Sequence, residues 1–146
     1  MGQQQLLLIV LGVIIVGIAI AVGISMFKSN AQSSNRDQVI NDLNNLAAKA
    51  QQYYRKPTAM GGGGQDFNGF KLAPVDTGNA NGSYSLSATA PTGTTFVPGD
   101  TSSGITSSAQ TIYIVGCGKE KGNDGTNPVK AYATVTPDNV KTTVLN

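Results

Sequence analysis

The chain has no histidine and one cysteine, and only 12% of its 146 residues are charged. Without histidine, neither a Ser-His-Asp nor a Cys-His catalytic set can be assembled, and a Cys/His zinc site lacks its ligands. A single cysteine excludes a disulfide within the chain. Cys117 lies in the apolar run Ile112-Tyr113-Ile114-Val115-Gly116-Cys117 and reads as a small buried hydrophobe rather than a reactive thiol. The eight acids (Asp37, Asp42, Asp66, Asp76, Asp100, Glu120, Asp124, Asp138) fall almost all in predicted loops or on a solvated helix face. No carboxylate pair for acid–base work is expected among them, so the chain does not read as an enzyme. The basic residues are scattered, the net charge is only +2, and no aromatics interleave with a basic face. That excludes a nucleic-acid partner. Gly61-Gly62-Gly63-Gly64 lacks the Gly-Lys-Ser/Thr of a phosphate cradle and reads as a mobile connection, so no cofactor is expected.

What is present begins with residues 6–24, every one apolar or glycine. Nineteen residues at about 1.5 Å each give roughly 28 Å of helix, the thickness of a bilayer's hydrocarbon. A helix apolar on all sides must be covered on all sides, by lipid or by protein. The run exceeds a secretory h-region, and only Met1-Gly2-Gln3-Gln4-Gln5 precedes it, with no basic n-region and no Ala-x-Ala site. Gly12, Gly17 and Gly23 interrupt it, which suits close approach of helices or local extension.

A second helical pattern follows the polar residues 29–35. Val39, Leu43, Leu46, Ala50 and Tyr53 recur at steps of four and three, with Ile40, Ala47 and Tyr54 flanking them. Asn41, Asp42, Asn45, Lys49, Gln52 and Arg55 take the other face, which defines an amphipathic helix ending at Pro57. No glycine or proline separates Ser25 from Lys56, so the two patterns can form one rod, with a kink or melted turn expected at residues 29–35, where helix formers are weak.

Beyond Pro57 the texture is that of strands and turns. Residues 83–88 alternate, with Tyr84, Leu86 and Ala88 on one face, and 95–97 is a short strand candidate. Residues 110–117 form the clearest strand, while 130–135 and 140–145 form a hairpin about Thr136-Pro137-Asp138-Asn139. Residues 119–128 read as a polar hairpin loop, and Phe67 and Phe70 flank the turn Asn68-Gly69. The whole is an α+β chain: a long helix packed on a roughly four-stranded antiparallel sheet. Its parts are an apolar half-helix (1–28), an amphipathic half-helix (29–56) and a β-rich head (57–146).

Asn123, Asp124, Thr126 and Asn127 supply oxygens in one turn, but too few carboxylates for calcium, so no metal site is expected. Asn81-Gly82-Ser83 matches a glycosylation sequon, and residues 89–108 are Ser/Thr-rich, so a surface glycan is a possible modification.

An apolar terminal helix running into an amphipathic one, with Asp42-Leu43-Asn44-Asn45-Leu46-Ala47-Ala48 and Tyr53-Tyr54 in the second half and a β head after it, resembles a type IV pilin or pseudopilin. The resemblance covers about the first sixty residues. It implies a bacterial surface filament, a homopolymer whose subunit waits in the inner membrane and is assembled by pilus machinery into an extracellular fibre. Leu6, Leu7, Leu8, Leu11, Gly12, Ile14, Ile15, Gly17, Ile18, Val22, Gly23 and Phe27 would then pack the filament core. Val39, Leu43, Leu46, Ala50 and Tyr53 would pack the helix on the sheet. The family's starting phenylalanine and glutamate are missing: Gln5 stands at the glutamate's place if Met1 is the first residue, and Gln3 is the terminus if cleavage follows Gly2. Registration of subunits would fall to Gln3, Gln4 and Gln5 as hydrogen-bonding groups. Lys28 and Arg36 follow the apolar run and nothing basic precedes it, so the positive-inside rule would put the head in the cytoplasm and counts for a simple anchor. The alternative reading is a monomeric, single-pass membrane-anchored surface binding protein.

Overall fold

The computed structural model describes residues 2–93 and 104–146. The strand candidate at 95–97 and Asp100 lie outside these residues. One helix, α1 (Gly2–Arg55), precedes four strands: β1 (Gly82–Ser87), β2 (Ile112–Lys121), β3 (Pro128–Val135) and β4 (Val140–Val144). Two short 3-10 turns, at Thr58–Met60 and Pro74–Asp76, lie between α1 and β1.

At 1.5 Å per residue, the 54 residues of α1 span about 80 Å. The helix runs unbroken through 29–35, where the sequence suggested a kink. Serine and asparagine there each disfavour helix by about half a kcal/mol relative to alanine. Contacts to the head offset this: Gln32 Nε2 donates to Asn123 Oδ1 at 2.9 Å, and Asn35 is buried in bonds to two segments.

The helix ends on the glycine run. Gly63 N–H donates to the Tyr53 carbonyl at 2.8 Å, Gln65 N–H to Tyr54 at 2.8 Å and Gly64 N–H to Lys56 at 3.0 Å. These bonds occupy carbonyls that a helix end leaves without partners. A Cβ at Gly62 would overlap the Lys56 carbonyl, and one at Gly63 the Asp66 carbonyl. Gly62, Gly63 and Gly64 are therefore a close-fitting helix cap, and Gly61 ends the 3-10 turn at Thr58–Met60, so the run is not the mobile connection its composition suggested.

The sheet is a meander in the order β1-β2-β3-β4, antiparallel throughout. Alternation places Tyr84 and Leu86 of β1, Ile112 and Ile114 of β2, and Ala131, Ala133 and Val135 of β3 on one buried face. Val39, Leu43, Leu46, Ala47 and Ala50 of α1 pack against that face and complete the core with Phe67 and Phe70. Tyr53 and Tyr54 flank it, each tilted against a phenylalanine: Tyr53 on Phe70 at 5.4 Å and Tyr54 on Phe67 at 4.8 Å. All four strands depart from the sequence reading by one or more residues at an end, β3 starting at Pro128 and β4 stopping at Val144. β1 stops at Ser87, leaving Ala88 exposed. β2 continues through Lys119, Glu120 and Lys121, with a bulge between Cys117 and Lys121, so that the loop shrinks to 122–127. The bulge carries three charged residues as a paired strand end, which composition alone reads as loop.

Candidate assembly surface and its clasp to the head

No described part of the chain covers the first half of α1. Leu6, Leu7, Leu8, Leu11, Ile14, Ile15, Ile18, Val22 and Phe27 are 52–76% exposed, and so are the large apolar side chains between them. By length and composition this helix can cross a membrane. Fully burying an apolar side chain of this size is worth about 1.5–3 kcal/mol, so the sixteen large ones, somewhat over half exposed, place on the order of 15–30 kcal/mol on finding cover. A Cβ at Gly12, Gly17 or Gly23 would meet nothing within 4 Å, so nothing among the described residues requires glycine there. Gln3, Gln4 and Gln5 lie exposed in the first turns of the same helix.

The second half is fastened to the head by polar bonds at both ends of a hydrophobic stripe. Val39, Leu43 and Ala50 are fully buried, Leu46 nearly so, and Tyr53 lies at the edge of the core. Toward the apolar half, Asn35 Nδ2 donates to the Asn81 carbonyl at 2.9 Å, and its Oδ1 accepts from Glu120 N–H at 3.2 Å. Gly118 makes this possible, since a Cβ there would overlap Asn35 Oδ1. Two residues along β2, a Cβ at Gly116 would stand 3.0 Å from Val39 Cγ1. The Gly116-x-Gly118 pair thus lets the helix backbone approach the sheet.

One turn further, Asp42 gathers three donors on Oδ2: Tyr84 Oη at 2.6 Å, Asn79 Nδ2 at 2.8 Å and Asn81 Nδ2 at 3.0 Å. Burial pushes its carboxyl up, but these three bonds outweigh it and hold its pKa below the usual 3.8. Burial, and then the bond to Asp42, push the Tyr84 hydroxyl well above its ordinary value. Lys49 and Asp76 close the next turn with an ion pair at 2.7 Å. At the far end, Gln51 Nε2 donates to the Thr136 carbonyl at 3.0 Å, and Tyr53 Oη to the Asn68 carbonyl at 2.9 Å.

Neither Asn35 nor Asp42 stood out in sequence as a fastening residue. The available signal was Gly116-x-Gly118 inside a strand, a spacing that marks close backbone approach. Nothing in the helix pattern separates Asp42 from its solvated neighbours.

The remaining candidate groups serve their own turns. The Asp124 carboxylate accepts from Asn127 Nδ2 and from the N–H groups of Thr126 and Asn127, which bring its pKa to about 2. Asp66 accepts from Ser108 Oγ and from the N–H groups of Ala109 and Asn68, and its pKa is lowered in that order of cause. The sequon nitrogen, Asn81 Nδ2, is the one that donates to Asp42. Cys117 is half-buried; burial raises its thiol pKa while neighbouring Lys130 opposes the rise. Among the described residues, no three His, Cys, Asp or Glu side chains gather as metal ligands.

Comparison of the chain with protein-family models, curated proteins and solved structures returns no match.

Proposed function

We propose that this chain is a structural subunit of a helical surface filament of the type IV pilin kind, not an enzyme. One observation carries the reading: a single continuous helix is uncovered and apolar on every side over its first half, and clasped to a small β head over its second. Such a helix needs two successive environments if the subunit is to polymerise. Lipid covers residues 6–27 before assembly, and copies of the same helix cover them afterwards. In a bundle the driving force is dispersion and close packing, because lipid tails are as apolar as leucine. Gly12, Gly17 and Gly23, which nothing among the described residues requires, are then the points of closest approach between neighbouring helices.

The clasp supplies the other requirement, a head that travels with its helix. Asn35 and Asp42 tie α1 to β1, β2 and the loop before β1, so that force on the helix is passed to the sheet rather than peeling it away. Gln3, Gln4 and Gln5 would register one subunit against the next by hydrogen bonds. The partners are a membrane, further copies of the chain, and a machinery that extracts and stacks them, with the fibre outside the cell. A glycan at Asn81 is disfavoured, because its side-chain nitrogen already serves Asp42.

Fractionation of cells expressing the chain tests this reading. Sheared surface material is expected to contain thin filaments composed of it, and its intact mass gives the mature N-terminus. Recovery only in the membrane fraction, as a small species in detergent, refutes polymerisation. The placement of Lys28 and Arg36 would then make a monomeric anchored binding protein the better account.

A further inference from the structure

The end of the head nearest the apolar helix is basic in a way the filament reading does not use. Along α1 toward its start, successive residues meet β2 ever closer to the β2–β3 turn: Val39 at Gly116, Asn35 at Gly118 and Glu120, Gln32 at Asn123. The hairpin tip therefore points toward the apolar half. A cleft of about 610 Å³ opens between the two, lined by Lys28, Gln32, Lys119, Glu120, Lys121 and the turn glycines.

Three lysines and one acid, Glu120, line this cleft. The other acid nearby, Asp124, is taken up by its own turn. None of the three lysines forms an ion pair with a described residue. The cleft's height is set by the helix. Lys28 lies about 6 Å beyond Ile24 along the axis, and Gln32 about 12 Å. A bilayer's polar layer on each side is about 5–8 Å deep. With residues 6–24 in hydrocarbon, Lys28 stands at the level of lipid phosphates. The backbone of Lys119 and Lys121, at the height of residues 32–35, lies about 12–16 Å beyond Ile24, from where their long side chains extend toward that level.

We propose that this cleft is a docking site for the phosphates of anionic phospholipids, which holds the head against the bilayer surface before the subunit is extracted. The inference rests on the membrane stage of the proposed function. Ammonium groups act on phosphate as mobile point charges, so the site selects for charge rather than for a particular headgroup.

The full chain reconstituted into vesicles of phosphatidylcholine, with and without phosphatidylglycerol, tests it. The readout is amide hydrogen exchange over residues 119–127, with 136–139 at the opposite end of the head as reference. Two lysines near an anionic surface should slow exchange over 119–127 about tenfold when phosphatidylglycerol is present, with the reference unchanged. Replacing Lys119→Gln and Lys121→Gln together should abolish the difference between the two lipids. Equal exchange in both, with the chain still resisting carbonate extraction, overturns the lipid contact and leaves the membrane reading standing. The same slowing in phosphatidylcholine plus inorganic phosphate would reassign the site to free phosphate. A chain that carbonate removes from both vesicles overturns the proposal and the membrane stage together.

Discussion

Replacing Gly118 with alanine tests how the helix carries its head. The added Cβ would overlap Asn35 Oδ1 and stand 3.2 Å from Val129 Cβ, so Asn35 must swing away. Its bonds to the Asn81 carbonyl and Glu120 N–H are then lost, at about 1 kcal/mol each. Crowding at Val129 adds a smaller amount, for a total loss of about 2–3 kcal/mol. Asn35→Ala loses the same two bonds but gains about half a kcal/mol of helix propensity, so about 1–2 kcal/mol is expected. With Asn35 already truncated, the alanine at 118 has little left to displace. The double variant should therefore cost no more than about 0.5 kcal/mol beyond Asn35→Ala alone, a coupling of about 1.5 kcal/mol or more. Urea unfolding of the full chain in detergent, followed by tyrosine near-UV dichroism, reads this out; all five tyrosines lie beyond the apolar half-helix. Additive losses would refute the account, because Asn35 and Gly118 would then not share one contact.

Three further outcomes follow from the same geometry. Leu43→Ala opens a cavity at a fully buried position between helix and sheet and should cost about 2.5–4 kcal/mol in that unfolding assay. Asp42 is held below its ordinary 3.8, so its stabilisation is complete above that value and fades as pH falls through the lower folded-state pKa. Asp42→Asn should therefore cost about 1–2 kcal/mol at neutral pH, discounted for partial exposure, with the gap to the parent closing below that pH. Ile14→Lys puts a charge at the middle of the apolar half, at about 3 kcal/mol in a bilayer; it should remove the chain from sheared surface material while leaving the head's unfolding midpoint unchanged.

The fold was legible wherever a periodicity carried it. The step of four and three at Val39, Leu43, Leu46 and Ala50 marks the buried stripe, and alternation at Tyr84 and Leu86 marks the inner face of β1. The apolar run is written in composition alone. Misread segments were those where long-range contacts outweigh local preference. Residues 29–35 are poor helix formers kept helical by Asn35 and Gln32, whose partners lie 46 to 91 residues away. The four glycines look like a linker, yet they are needed because the chain folds back onto the helix end. The charged end of β2 looks like a loop, but its pairing is set by β3. The apolar character of each residue in the first half of α1 was visible; the polar hub at Asp42 between helix and head was not, because its donors Asn79, Asn81 and Tyr84 converge only after β1 docks.

The central claim is that copies of residues 6–27 bury one another. A cryo-electron microscopy map of filaments sheared from cells tests it most directly. The account expects an axial core of packed α1 helices, with Gly12, Gly17 and Gly23 at the closest crossings and the four-stranded heads arrayed outside. A fibre held together by heads, with residues 6–27 absent from its core, would contradict it.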